Sequence, residues 1–238
     1  MPSAQQIEID EPTGLAMNKA GADFPLLLQA IHAANVSNLS LLYPRGKVLF
    51  AEGEPARGVH VLRTGRATVS ISSREGRVVI LRLAQAGDVL GLNSVLRNAA
   101  YEATVKTLEP CRTDFISHAE LIELMEKSQA ATQAIFQILT RELAELTNRA
   151  RSLVLPLTAG ARLASLLLEW TKQNGRETSH AIRLDKVFTH EEIAQMICSS
   201  RETVTRLLAS LNRSNLIRLT PDSILICDRA GLQKLANG

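Results

Sequence analysis

Four polar side chains near residue 200 are of the types that recognise the edges of bases in DNA. They are Arg201, Glu202, Thr205 and Arg206, and they lie within six consecutive residues. A guanidinium can bond the O6 and N7 atoms of guanine, and a carboxylate can accept from the N4 amino group of cytosine. Projecting from the N-terminal end of one helix, they can read the major groove. The alternative is an ordinary solvated face on which Glu202 is used for capping.

Hydroxyl groups and an imidazole surround the predicted starts of two adjacent helices. Thr189 and Glu192 have capping-box spacing, which predicts that the first helix begins there. The second helix follows a short turn at Cys198-Ser199, with either Ser199 or Ser200 as its N-cap. Such hydroxyls, together with free backbone amides, can hold phosphate oxygens. The phosphate-contacting candidates are Thr189, His190, Ser199, Ser200 and Thr203.

The apolar pattern predicts how these elements pack. From Val204 to Leu211 apolar residues recur at helical spacing, so one face of the second helix is buried. Residues 216–227 then form two β-rich runs around a Pro-Asp turn, which predicts a hairpin. Asp228 can cap a last helix. Helix, turn, helix and hairpin in this order predict a winged helix, after a region of short helices.

Two other patterns precede this region. Between Leu42 and Ile116, short β-rich runs alternate with glycines, which is typical of a roll or barrel. From Ser128 to Leu155 there is no Gly or Pro, and apolar residues recur at spacings of 3 and 4. This seam predicts a helix that pairs with a partner helix or packs on its own domain. It consists of Phe136, Leu139, Leu143, Leu146, Ala150 and Leu153.

Composition and charge narrow the class of protein. With 238 residues, 45% hydrophobic and 21% charged, the chain fits a globular protein of one large or two compact units. No apolar run is long enough to span a membrane and the N-terminus lacks a signal-peptide pattern, which predicts a cytoplasmic protein with no membrane partner. Residues 156–238 have 11 Lys+Arg against 8 Asp+Glu, whereas residues 1–155 have 16 of each. This asymmetry favours an anionic partner for the C-terminal region.

Together these motifs resemble the CRP/FNR family of transcription regulators from about residue 39 onward. The run from Tyr43-Pro44-Arg45-Gly46 through Gly53-Glu54 and Gly65 is similar to the family's cyclic-nucleotide-binding roll. Residues 200–206 are similar to the recognition helix of the catabolite activator and differ within it only at Thr205. The first arginine of this helix favours the CRP-like type over FNR proper.

This resemblance implies a fold, an assembly and a set of partners. The fold is α+β, with an antiparallel β-roll of the cupin-like jelly-roll type, a long dimerisation helix and a C-terminal winged helix-turn-helix. A homodimer binds palindromic double-stranded DNA, and Arg201, Glu202 and Arg206 read GTGA-type half-sites. A contact with RNA polymerase is left open. The expected divisions are an N-terminal extension that is partly disordered or helical (1–38), the sensor roll (39–127), the dimerisation helix (128–155) and the winged domain (156–238).

The effector pocket departs from the relatives that bind cyclic AMP. In them a Gly-Glu pair opens a short helix and holds the ribose, and a following Arg-Ser or Arg-Thr pairs with the phosphate. Here Leu92 or Asn93 replaces the glutamate and Tyr101-Glu102 replaces Arg-Ser, so a carboxylate would face the phosphate. Arg97 lies four residues before the position expected for the phosphate-binding arginine. The pocket candidates are Gly87, Asp88, Gly91, Leu92, Asn93, Arg97, Tyr101 and Glu102, with Thr147 and Asn148 on the long helix.

Other sensing chemistries follow from the cysteines and histidines. The departures above argue against cyclic AMP, so the effector is unknown and constitutive DNA binding is an alternative. No cysteine precedes Cys111, which excludes an FNR-type iron–sulfur cluster, and no metal-ligand spacing is present. Haem ligation by His32, His60 or a tyrosine is open, although a lone strand histidine is more often a packed side chain. Oxidation of Cys198 could block DNA binding, but a small buried hydrophobe between two helices is favoured.

Two functions of other classes are alternatives. In the first, the chain is a nucleotide-sensing interaction module whose C-terminal unit docks a protein instead of DNA. The second, an enzyme, has little support, because Ser117-His118 and Ser179-His180 lack an orienting acid and no phosphate-cradling Gly-Lys loop occurs. No catalytic residue is predicted.

Overall fold

A computed structural model of the chain describes residues 25, 27, 29, 31, 39–154, 158–178, 181–185 and 188–237. The predicted N-terminal extension therefore lies almost wholly outside the described residues. Its four described positions are helical, and Leu27 and Ile31 are buried in the core of the roll that follows.

The first part of the chain is a roll of two antiparallel sheets with a shared apolar core. The elements are β1 (Leu39–Tyr43), β2 (Val48–Phe50), β3 (Gly58–Thr64), β4 (Arg66–Ser72), β5 (Val78–Gln85), β6 (Val89–Leu90), α1 (Leu92–Leu96), β7 (Thr104–Thr107) and β8 (Cys111–Ser117). The sheets have the strand orders β1-β8-β3-β6 and β2-β7-β4-β5, and the short helix α1 follows β6. This arrangement confirms the roll expected from the short glycine-punctuated runs.

Two helices follow the roll. The first, α2 (His118–Lys127), begins at a capping box formed by Ser117 and Glu120, a motif that was not predicted from the sequence. The second, α3 (Gln129–Val154), is the predicted long helix, and the residue after it lies outside the described part of the chain. The first half of α3 is anchored on the roll by Ala131, Ala134, Ile135 and Ile138, which are buried in its core.

The C-terminal part combines helices with a four-stranded antiparallel sheet. The elements are α4 (Ala159–Asn174), β9 (Arg176–Glu177), β10 (Ile182–Asp185), α5 (His190–Met196), α6 (Arg201–Arg213), β11 (Ile217–Leu219), β12 (Ser223–Ile226) and α7 (Arg229–Asn237). The strand order is β11-β12-β10-β9, so the expectation of one hairpin is incomplete: β11 and β12 form it, and β10 and β9 extend the sheet. The pattern missed β10 because only Leu184 of its four residues is buried.

Together the roll, the long helix and the winged unit confirm the predicted α+β fold. Of the helices in the described residues, none combines the length and the apolarity that crossing a bilayer requires.

Candidate nucleic-acid interface

Side-chain caps define the starts of α5 and α6. Thr189 accepts a hydrogen bond from the backbone of Glu192 (3.2 Å), whose carboxylate accepts from the backbone of Thr189 (2.7 Å), so the predicted capping box is present. At α6, Ser200 is the N-cap and accepts from the backbone of Thr203 at 3.2 Å. Of the two expected N-cap candidates, the structure therefore selects Ser200 over Ser199. Both caps fix where the helices begin.

Burial divides α6 into two faces. Val204, Leu208 and Leu211 are buried and belong to the core of the winged unit. The four base-reading candidates, Arg201, Glu202, Thr205 and Arg206, are all exposed. They lie within the first two turns of the helix, which is the end that a recognition helix inserts into the major groove. The helix thus presents two guanidiniums and a carboxylate to solvent from one end.

A hydrogen-bonded pair joins the two helices at this face. Thr205 Oγ1 donates to the carbonyl of Arg201 at 2.9 Å and lies 2.9 Å from Nδ1 of His190. A hydroxyl has one proton, so while Thr205 gives it to Arg201, the Nδ1–H of His190 must donate to Thr205. The contact holds α5 against α6, and the hydroxyl proton of Thr205 is used within the fold.

Glu202 stays ionised beside the two arginines. Its pKa is lowered by hydrogen bonds from its own backbone amide and from the Ser200 side chain, and the positive charges of Arg201 and Arg206 act in the same direction. Glu202 therefore contributes to the start of α6 while its carboxylate stays exposed and can accept further hydrogen bonds.

The phosphate-contacting candidates lie around the same two helix starts. Thr189 and Ser200 are the N-caps of the two helices and are exposed, and His190, Ser199 and Thr203 are partly exposed. The backbone amide of Ser199 donates to the carbonyl of Ala194, which closes the turn between the helices (2.9 Å). The hydroxyls of Ser200 and Thr203 lie 3.1 Å apart, and Arg206 donates to Thr203. This concentration of donors at helix N-termini suits an anion.

Cys198 lies in the turn and is exposed, so the favoured interpretation of a small buried hydrophobe is wrong. The residue has a φ of +50°, a left-handed conformation that the tight turn imposes, and its side chain remains at the surface. Among the other cysteines, Cys111 is buried and Cys227 is exposed. Within the described residues, no three His, Cys, Asp or Glu side chains cluster as a metal site would require.

In the predicted effector pocket, the residue that the resemblance aligns with the expected arginine is aromatic. Tyr101 is buried, stacks on Phe50 with ring centroids 3.8 Å apart, and donates its hydroxyl to the carbonyl of Gly58 at 2.5 Å. Gly91, which precedes α1, has a φ of +83°, and a Cβ there would lie 2.6 Å from the ring of Tyr101. Only glycine is compatible with this conformation and this contact.

The carboxylate beside that ring is bound within the chain. Glu102 accepts hydrogen bonds from Asn93 (2.7 Å) and from the guanidinium of Arg97. Its backbone amide donates to the hydroxyl of Ser94 at 3.2 Å. A half-exposed ion pair contributes little stability. It nevertheless engages Arg97, which is the cation that the sequence places nearest to the expected phosphate.

The remaining pocket candidates do not join this cluster. Asp88, which follows Gly87, accepts a hydrogen bond from Arg82 at 2.8 Å, and Leu92 is buried in the roll core. Thr147 and Asn148 are exposed on α3, and the Thr147 hydroxyl donates to its own helix, to the carbonyl of Leu143. The structure therefore brings together Gly91, Asn93, Arg97, Tyr101 and Glu102.

A cavity of about 390 Å³ beside Tyr101 was not predicted. His60 lies in its wall, with Nδ1 3.2 Å from the Thr113 hydroxyl, and burial lowers the pKa of His60 to about 4. The histidine is thus a packed neutral side chain, as its strand position suggested, whereas His32 lies outside the described residues. The spacing of residues in the sequence did not indicate this cavity, because segments that are distant in the chain form its walls. They are Leu49, Phe50, Glu54, Pro55, Arg57, His60, Tyr101 and Phe115.

The predicted seam on α3 is divided between two environments. Phe136 (68% exposed), Leu143 (65%) and Leu146 (43%) present large apolar side chains to solvent. Leu139 instead packs against the roll core, and of the last two seam positions Ala150 is exposed and Leu153 is half-buried. Such a row of exposed apolar side chains on one helix marks an interaction surface.

Both parts of the chain match known protein families. Residues 41–128 match the cyclic nucleotide-binding domain family, and residues 161–235 match the Crp-like helix-turn-helix domain family. The chain is 28% identical over 194 residues to a CRP-like cAMP-activated global transcriptional regulator of Mycobacterium tuberculosis, covering 82% of this chain and 86% of the relative. It is 26% identical over 195 residues to a global nitrogen regulator of Synechococcus elongatus, covering 81% and 87%.

The same fold is found among solved structures. A CRP-family transcriptional regulator from Thermus thermophilus superposes with a TM-score of 0.70 at 24% identity, covering 83% of this chain and 97% of that one. A β-roll, a long helix and a winged helix-turn-helix with an exposed recognition helix define a DNA-binding transcription regulator. With both domain families matched in this order, the chain belongs to the CRP/FNR family.

Proposed function

We propose that the protein is a homodimeric regulator that reads a palindromic DNA site with GTGA-type half-sites. The observation that carries this proposal is the exposure of Arg201, Glu202 and Arg206 together on the first turns of α6. Two guanidiniums suit guanines and the ionised Glu202 suits the amino group of cytosine, which matches the composition of such a half-site. The donors at the starts of α5 and α6 would hold the flanking phosphates. The protein would act where the chromosome lies, in the bacterial cytoplasm.

The exposed row on α3 supports the homodimer. Phe136, Leu143 and Leu146 lie on one side of a 26-residue helix, and pairing with the same helix of a second copy would remove them from water. A two-fold axis along this pair presents two recognition helices in opposite orientation. A dimer of this kind reads inverted half-sites about one helical turn apart.

The contacts of the predicted effector residues support control that does not use cyclic AMP. The resemblance aligns Tyr101 with the phosphate-binding arginine, Tyr101 is buried, and Arg97 is paired with Glu102. We propose that DNA binding is constitutive or responds to another ligand, although the Mycobacterium tuberculosis relative is named as cAMP-activated. The Synechococcus elongatus relative is named as a global nitrogen regulator.

Cyclic AMP is expected to change the affinity of the protein for its DNA site by less than tenfold. The reason is that a ligand shifts a conformational equilibrium only through its differential affinity for the two states. Arg97, which the sequence places nearest to the expected phosphate, is engaged by Glu102. Gel-shift titrations with and without cyclic AMP measure the effect, with the Mycobacterium tuberculosis relative as positive control. Stimulation of tenfold or more would contradict this interpretation of the pocket.

Selection of bound sequences from a random duplex pool tests the proposed function directly. The expected result is a palindrome with GTGA-type arms, whose affinity falls along a straight line of log affinity against log salt. A protein that enriches no sequence, or whose partner binding persists without this salt dependence, would fit the interaction-module alternative instead. Enrichment of a single arm without symmetry would contradict the proposed homodimer.

A further inference from the structure

One arginine of the long helix contacts both the roll and the winged unit. On α3, Arg149 donates from Nη2 to the carbonyl of Ile80 on β5 at 3.0 Å, and also to the carbonyl of Met196. Met196 is the last residue of α5, so its carbonyl is among the four that an α-helix leaves without an intrahelical partner. A guanidinium is favoured at this end of a helix. Arg149 therefore fastens the end of α5 to a strand of the roll.

Apolar packing reinforces the same junction. The side chain of Ile80 is 3% exposed and belongs to the hydrophobic core of the winged unit, although β5 is a strand of the roll. Leu83, also on β5, packs against that core. One strand of the roll thus supplies a backbone acceptor for Arg149, and one buried and one partly buried side chain for the winged unit.

A second contact fixes β5 to the long helix. Arg82 donates to Asp88 at 2.8 Å and to Glu142 of α3 at 2.7 Å. Burial raises the pKa of Glu142, and the attraction of Arg82 offsets this only in part, so the pair lies in a poorly hydrated contact. Glu142 and Arg149 are two helical turns apart and share one face of α3. The long helix is therefore joined to β5 at two levels, and at one of them also to α5.

The junction leaves the DNA-reading face uncovered. Arg149 contacts the carbonyl of Met196 at the C-terminal end of α5, whereas Thr189 and His190 lie at the other end of that helix and the remaining candidates lie in or after the turn that follows Met196. Arg201, Glu202 and Arg206 are all exposed while Arg149 is engaged. A contact that holds a binding element without covering it preorganises that element for its ligand.

We propose that Arg149 is a positioning residue that sets the spacing between half-sites which the dimer accepts. By holding each winged unit against β5, it fixes the separation of the two recognition helices. This inference rests on the proposed function. When the separation of the two recognition helices is fixed, binding of one half-site gives the second helix a high effective concentration at the other half-site. A palindrome with the wrong spacing is then bound more weakly. Loosening the junction lowers that concentration but leaves the contacts to a single half-site unchanged.

The test compares Arg149→Met with Arg151→Met. The first substitution keeps an apolar stem and removes the donors, and the second alters an exposed arginine on the same helix. Affinities are measured for the selected palindrome, for a single half-site, and for palindromes with one base pair added or removed between the arms. Arg149→Met is expected to weaken full-site binding at least tenfold, to change half-site binding less than twofold, and to reduce the preference for the original spacing. Arg151→Met should behave as wild type.

Other results would overturn the proposal. Equal losses on the full site and the half-site would indicate a folding role, and unchanged or tighter full-site binding would show that Arg149 does not position the helices. Amide hydrogen exchange supplies a readout without DNA: residues 78–84 and 194–199 should exchange at least tenfold faster in Arg149→Met alone. Unchanged exchange would refute the junction. A wild-type protein that binds no duplex would refute the proposed function, and the exchange measurement would still decide on the junction.

Discussion

Replacing Arg201 by alanine is expected to weaken binding of the dimer to its DNA site by about 2–6 kcal/mol, on the order of 30-fold to 10⁴-fold. A bidentate arginine–guanine contact contributes about 1–3 kcal/mol, and a symmetric complex contains two of them. The side chain is exposed at the first position of α6, so its loss leaves the core of the winged unit intact. Arg206→Ala is expected to act in the same direction. Fluorescence anisotropy with a labelled palindrome measures both.

The pattern of losses separates base reading from a general charge effect. Arg213→Ala removes an exposed arginine at the other end of the same helix and should change affinity little. Arg201→Ala should also relax the preference for guanine at one position of each arm and should weaken binding to an unrelated duplex much less. If all duplexes were weakened alike, Arg201 would be a phosphate contact and the proposed base assignment would fail.

Leu143→Glu is expected to convert the dimer into monomers and to reduce affinity for the palindrome by about 10²- to 10⁴-fold, which is the typical gain from binding two linked sites. Leu143 is 65% exposed in the single chain, so the substitution is tolerated by the fold of the monomer. In the dimer it places one carboxylate from each copy in an apolar contact, and burying an unpaired charge is costly. Size-exclusion chromatography with light scattering measures the mass.

A matched variant tests whether the seam itself is responsible. Gln137 is exposed on α3 but lies on another face from Leu143, so Gln137→Glu adds the same charge outside the seam. That variant should remain dimeric and bind the palindrome normally. A Leu143→Glu protein that is still a dimer would place the interface elsewhere and would remove the main argument for pairing through α3.

Short-range features of the fold could be predicted from the sequence, because their causes are local. The capping box of Thr189 and Glu192 depends on residues three apart, and the burial of one face of α6 follows from helical spacing. The strand β10 escaped prediction because it is short and has one buried residue. Its place in the sheet comes from pairing with β12, a strand that is distant in the chain.

Predictions for the candidate site were less complete where they depended on tertiary contacts. The sequence predicted that Glu102 would oppose a phosphate, but not that Arg97 and Asn93 would bind it. It also favoured a buried Cys198, because the pattern does not reveal the left-handed turn that keeps this thiol at the surface. The role of Arg149 could not be predicted from its place between two seam positions, because its carbonyl partners are 69 and 47 residues away in the chain.

The insertion of Ile80 into the hydrophobic core of the winged unit limits how freely the two halves of this protein can be exchanged. A fragment that begins after the long helix would lack Ile80. The core of its winged unit would then contain an apolar cavity where β5 packs in the whole chain. A chimera carrying the roll of another regulator would need a side chain of matching size and shape at that position. In evolution, the two domains are therefore expected to change together at this contact, although each belongs to a separately recognised family.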